Sequence, residues 1–182
     1  MRYTLPKTLT VGDKELEIRY DFRNILNCIV ILNADDLSEQ ERLIAFFCEF
    51  YVNPEEIDDA QEAITKAMEF ISCGTEKNAT KRAYMNWEKD FDIIVAPVNK
   101  VLGVEIRSLP ELHWWTFVSA FREIGECYFS QVVSIRHKKA EGKKLEKWEQ
   151  EFYRDNKEDI DLPSVSDNVS IEEMIEQSGW CS

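Results

Sequence analysis

A mainly α fold, one helical domain of about six to seven helices with a short N-terminal β-hairpin and an acidic C-terminal tail, is predicted by three features of this 182-residue chain. Gly and Pro number only 6 and 5, too few for a sandwich or barrel of many tight turns. Apolar residues recur at the i, i+3, i+4, i+7 spacing of a buried helix face in several windows. Helix-start signatures of the capping-box kind stand at Ser38–Glu41, Ser108–Glu111 and Ser170–Glu173.

The hairpin occupies residues 5–20. Leu9 and Val11 precede Gly12-Asp13-Lys14, and Leu16 and Ile18 then alternate with Glu15, Glu17 and Arg19, which is period two around a turn. Asp21 caps a first helix through about Leu32, with Phe22, Ile25, Leu26 and Ile29 on one face. Ser38 opens a second, carrying Leu43, Phe46, Phe47 and Phe50. Pro54 suits the first turn of a third, which presents Ile57, Ala60, Ile64, Ala67, Met68 and Ile71 and stops at Gly74. A fourth helix runs from about Tyr84 to Leu102, with a kink or break expected near Ile93 to Ala96 because Pro97 lacks a helical donor. The box at Ser108 predicts a fifth, apolar helix over Leu112, Trp114, Trp115, Phe117, Val118, Phe121 and Ile124, ended by Gly125. Residues 128–140 and 143–157 make further helices. Domain organisation follows as residues 1–162, a helical domain, and 163–182, an acidic tail with a short helix around Met174 and Ile175, followed by Trp180.

The formal net charge is −13, which repels phosphate backbones and anionic membranes and so argues against nucleic-acid or membrane binding. The charge is unevenly spread. Residues 35–62 hold ten acids and one Arg, residues 131–157 hold eight Lys or Arg and five acids, and residues 158–182 hold seven acids and no Lys or Arg. A basic stretch between acidic ones suggests polarised contact faces. No apolar run approaches the ~20 residues of a membrane span, and the start lacks a signal-peptide core, so the expected location is the cytoplasm of the cell that makes the chain. The five cysteines form no Cys-x-x-Cys pair, which argues against a disulfide framework or structural zinc, and Cys28 and Cys48 read as small core residues.

Catalytic, cofactor-binding and metal-binding motifs are absent from the pattern. His113 and His137 are the only histidines, and neither has partners at the spacing of a metal site or a nucleophile–base pair. Glycines stand singly, so a phosphate-cradling loop has no material. The acids Glu55, Glu56, Asp58 and Asp59 read as a helix first turn favoured by the dipole, not as a metal cluster. Trp114-Trp115 is the most informative feature. Adjacent helical residues point ~100° apart, so both are buried only in a helix packed on two sides, or else one faces a partner. The bulk of large aromatics favours the core.

Leu5-Pro6 with its hairpin, Asp21-Phe22-Arg23, Ile71-Ser72-Cys73-Gly74 and Leu112-His113-Trp114-Trp115-Thr116-Phe117, with Glu151-Phe152-Tyr153-Arg154 near the end, resemble a family of small acidic phage and prophage proteins. The resemblance spans roughly residues 5–162. That family is commonly encoded in the tail-gene cassette, between the tail-tube and tape-measure genes. The resemblance implies a non-enzymatic tail-assembly role, chaperoning the tape-measure or tail-tube protein through protein contacts. It supplies no catalytic residues. Leu112, His113, Trp114, Trp115 and Phe117 are the candidate signature and partner-contact residues, with Met174, Ile175 and Trp180 as candidate tail contacts; self-association stays open. Two other readings are a structural tail or connector subunit of the virion, and an acidic inhibitor of a host nucleic-acid-binding enzyme. The basic stretch 131–157 counts against the inhibitor, since a nucleic-acid mimic presents a continuous acidic face.

Overall fold

The computed structural model describes residues 3–73 and 84–162; the candidate tail residues Met174, Ile175 and Trp180 and the Ser170 capping box lie outside them. The fold is mainly α with a two-stranded antiparallel hairpin near the N-terminus. The described residues fall into two compact units, one of residues 3–73 and 110–117, the other of residues 84–109 and 118–162.

The first unit opens with β1 (Thr8–Val11) and β2 (Lys14–Glu17), paired in the register Thr8↔Glu17, Leu9↔Leu16, Thr10↔Glu15, Val11↔Lys14. Gly12 turns the chain with φ +58°, a left-handed conformation that a hairpin turn of two residues demands. Helices α1 (Phe22–Leu32) and α2 (Glu39–Phe50) begin where local capping predicts. Asp21 accepts from the Arg23 N–H at the start of α1, and Ser38 and Glu41 exchange a full capping box at the start of α2. Pro54 does not open a long helix. It starts a single 3-10 turn, Pro54–Glu56, and α3 (Ala60–Ile71) starts afresh where Asp59 accepts from the Glu62 N–H. The acidic run is thereby divided: Asp59 caps, and Asp58 pairs with Lys14 at 2.6 Å.

Aromatic rings fill this unit. Phe46 stacks on Phe50 with centroids 5.5 Å apart, and Phe50 meets Phe70 edge-on at 5.8 Å. Phe22 stacks on Phe117 at 4.9 Å. Each of these rings is buried, and burying an aromatic side chain is among the largest single contributions to a core. Cys28 is buried as expected, but Cys48 is exposed. Phe46, Phe47 and Phe50 take the inward face of α2, and position 48 falls on the opposite side.

In the second unit α4 (Trp87–Leu102) starts three residues later than expected, because Asn86 accepts from the Lys89 N–H and caps it there. The helix runs unbroken through Pro97. Ile94, Val95 and Val98 flank the proline and are buried, and that packing offsets the one lost backbone bond. Gly103 ends α4 at φ +70°. A 3-10 turn, Ile106–Ser108, follows; α5 (Trp114–Arg122) begins in the first unit and ends in the second, which continues with α6 (Tyr128–Ala140), α7 (Lys147–Asp155) and the single turn α8 (Lys157–Ile160). The core here joins Val132 and Ile135 of α6 to Ile160, with Ile93, Leu145, Phe152 and Tyr153 against them.

The capping box at Ser108 does not form. The Ser108 hydroxyl instead donates to the Glu105 carbonyl, and Glu111 accepts from the Tyr20 hydroxyl at 3.0 Å. Helix α5 accordingly starts at Trp114 and stops at Arg122, before Gly125.

Candidate functional site

The segment leading into α5 is held as a short strand against the start of α1. Asp21 and His113 form an antiparallel bridge. The Phe22 N–H donates to the Leu112 carbonyl at 2.9 Å, and the Trp114 N–H donates to the Tyr20 carbonyl at 2.8 Å. The Asp21 carboxylate serves two segments: one oxygen accepts from the Arg23 N–H, the other from the Leu112 N–H at 2.7 Å. Its capping role is legible in sequence. Its hold on Leu112, 91 residues away, is not.

His113 is buried and both its ring nitrogens are engaged. Nε2–H donates to the Pro6 carbonyl at 2.8 Å, and Nδ1 accepts from the Trp115 N–H at 3.1 Å. A backbone carbonyl only accepts and a backbone N–H only donates, so the pair of bonds selects the neutral Nε2–H tautomer. The ring stacks on Tyr20 at 5.2 Å and meets Phe70 edge-on at 5.7 Å. Burial pushes the His113 pKa down, against the opposing pull of the Pro6 carbonyl. A neutral imidazole with both nitrogens bonded holds residues in place and has no free lone pair to act as a base.

The two tryptophans divide as their ~100° separation requires. Trp114 is buried and stacks on Phe117 at 5.6 Å; Trp115 is half-buried and stacks on Phe70 at 5.6 Å. Both indole N–H groups go to the same place. Trp114 donates to the Ile71 carbonyl and Trp115 to the Phe70 carbonyl, each at 2.8 Å. These are last-turn carbonyls of α3, past the reach of its i+4 ladder; the Phe70 carbonyl also takes the Cys73 N–H. Phe117 is fully buried against Phe22. Of the signature residues, His113, Trp114 and Phe117 are thus buried parts of the fold, and Trp115 alone offers a broad half-open ring.

Beside Trp115 lies an open groove of about 310 Å³, lined by Thr4, Pro6, Leu9, Lys66, Glu69, Phe70 and Trp115. Lys66 and Glu69 are ion-paired at 3.2 Å on its rim.

The basic stretch 131–157 is not the cationic face its composition suggests. Five of its eight cations are paired: Arg136 with Asp90, Lys138 with Glu149, Lys139 with Asp161, Lys143 with Glu141 and Arg154 with Asp155. Arg136 is buried, and its side chain donates to both Asp90 oxygens and to the carbonyls of Tyr84, Asp159 and Ile160. That uses all five guanidinium N–H donors. Glu149 is buried too, and the bond from Lys138 holds its carboxyl below the usual range. Neither of these pairs, the buried Arg136–Asp90 or the half-buried Lys138–Glu149, carries a sequence signal, because the spacing of the partners follows no motif.

The described residues make a mainly helical protein whose signature polar atoms hold one strand, one helix start and one helix end together. They contain no group of three His, Cys, Asp or Glu side chains placed to share a metal ion, and no helix long and apolar enough to cross a membrane. The chain belongs to the family described as Bacteriophage Gp15 protein, which matches residues 1–162, and it is therefore a phage protein. No curated protein and no solved structure matches it.

Proposed function

We propose that this protein is a non-enzymatic tail-assembly factor of a phage or prophage, which chaperones the tape-measure or tail-tube protein through protein–protein contacts. Membership of the phage family over residues 1–162 is the observation that carries the reading. The signature supports it in kind: the polar atoms of His113, Trp114 and Trp115 are engaged in structural bonds, and the half-buried Trp115 ring, stacked on Phe70, lines a groove. Half-exposed aromatic surface next to a groove is what protein contacts use. The net charge of −13 keeps such a factor dispersed and favours neutral or basic partners.

The test is co-expression of the tagged chain with the tail-tube and tape-measure proteins of the same phage, followed by affinity purification and by analysis of finished particles. Co-purification with either protein, together with absence from particles, is the expected result. Stoichiometric presence in particles would replace this reading with a structural tail or connector subunit. Failure to co-purify with either protein would overturn it.

A further inference from the structure

The hairpin carries a short open stretch of strand edge, at Thr8 and Thr10, next to the Trp115 groove. In an antiparallel ladder, alternate residues turn their N–H and C=O toward the partner strand, and those between turn them outward. The Ile18 N–H donates to the Lys7 carbonyl at 3.0 Å, which sets the phase: Lys7, Leu9 and Val11 bond inward to β2, and Thr8 and Thr10 face out. On the far side of β2 the Glu17 carbonyl accepts from the Val52 N–H. On the outer side of β1 the Pro6 carbonyl is taken by His113 and the Gly12 N–H by the Glu62 carboxylate of α3 at 2.8 Å, which leaves the stretch between them. Among the described residues the backbone N–H and C=O groups of Thr8 and Thr10 meet no partner.

We propose that this edge of β1 takes an extended, antiparallel strand of another protein, in which basic and apolar side chains alternate. Both halves of that pattern follow from the hairpin's two faces. The inner face bears Leu9, Val11, Leu16 and Ile18, with Lys7 and Lys14 at its two ends, and beside β1 it borders the groove that Leu9, Phe70 and Trp115 help line. Of the hairpin strands only β1 lines the groove, whose other walls include Lys66 and Glu69 of α3. The outer face bears Thr8, Thr10, Glu15 and Glu17, with the Thr8 hydroxyl donating to Glu15. An added antiparallel strand points alternate side chains to these two faces. Apolar ones fill the groove, and basic ones lie on the face of Glu15 and Glu17. A second copy of this chain is the poorer occupant. It would bring its own Glu15 and Glu17 to the same face, and two chains of net charge −13 repel.

This strand site rests on the protein-binding reading above, and the experiment separates the two. The probe is a fluorescein-labelled, capped peptide Lys-Leu-Lys-Val-Lys-Leu-Lys, titrated against the purified full chain by fluorescence anisotropy. In the proposed pairing the lysine amides face β1 and the apolar amides face away. N-methylation of the lysine amides should weaken binding roughly tenfold or more, and N-methylation of the apolar amides should leave it unchanged. Thr10→Pro removes an outward N–H that the fold does not use, so it should abolish binding and leave the melting temperature in place. If that variant fails to fold, the peptide pair still decides. No binding of the parent peptide, or equal binding by the two methylated peptides, overturns the proposal. So does concentration-dependent dimerisation of the chain that Thr10→Pro abolishes, because the edge then belongs to a second copy. Since the probe is no tail protein, a negative result here leaves the co-purification test standing, and a failed co-purification leaves the peptide result interpretable.

Discussion

Arg136 and Asp90 meet in a bidentate ion pair, both contacts 2.7 Å, with both side chains buried. The pair links α6 to the start of α4, where Asp90 also accepts the Asn86 N–H. The remaining guanidinium donors close carbonyls of Tyr84, Asp159 and Ile160. A buried pair of this kind is costly to break because one partner is left as an uncompensated charge.

Arg136→Met should therefore destabilise the protein by about 3–5 kcal/mol. Adding Asp90→Leu should restore only part of that loss. It removes the stranded carboxylate but leaves three carbonyls without their donor. Chemical denaturation of the two single variants and the double variant measures this, and full recovery in the double would show that the carbonyl bonds contribute nothing.

Trp114 and Trp115 should differ in size of effect but share a cause. Trp114→Ala empties a buried site and should cost about 3–5 kcal/mol. Trp114→Phe and Trp115→Phe keep a ring and lose only the indole donor, so each should cost on the order of 1 kcal/mol and loosen the end of α3. Hydrogen exchange at the Ser72 and Cys73 amides, which donate to the Met68 and Phe70 carbonyls, should quicken in both Phe variants. Unchanged exchange there would refute the capping role.

The pH dependence follows from His113. Burial lowers its folded pKa below the unfolded value of ~6.5, so the unfolded state binds more protons in the interval between the two. Stability is full above that unfolded value and falls as pH drops through it. The slope approaches at most ~1.4 kcal/mol per pH unit and levels off below the folded pKa. Protonation would also set an N–H at Nδ1 against the Trp115 N–H. Denaturant midpoints from pH 8 to 5 should show the decline, and His113→Gln should flatten it at lower overall stability. A second loss should follow in the carboxylate range. Glu149, held down by Lys138, and Asp161, held down by Lys139, contribute stability that disappears as pH falls through their lowered pKa values.

Thiol labelling should rank the cysteines by environment. Among the described cysteines Cys48 is exposed and should react first with iodoacetamide under native conditions. Cys28 is fully buried, and burial pushes its thiol pKa up, so little thiolate forms and access is closed. It should be modified only at the rate of global unfolding. Mass spectrometry after a timed pulse distinguishes the two, and early modification of Cys28 would contradict the packing of α1.

The sequence alone determined the elements whose signals are local. Asp21 and Ser38 cap the helices they precede, Gly12 turns the hairpin, and the Phe46, Phe47 and Phe50 stripe faces the core, because each depends on neighbours within four residues. The mainly α class followed from those signals and from the scarcity of Gly and Pro. Only the tertiary structure decided where distant partners compete with local ones. Ser108 and Glu111 have the spacing of a capping box, yet Glu111 bonds Tyr20 and the next residues pair with residues 20–22, so α5 waits until Trp114. The Trp114-Trp115 pair was visible as a signature, but its task of closing the last carbonyls of α3 required α3 to lie beside it. Arg136 looked like part of a cationic surface and is the buried partner of Asp90, 46 residues earlier. Composition counts charges, and burial depends on which distant acids and carbonyls the fold brings to meet them.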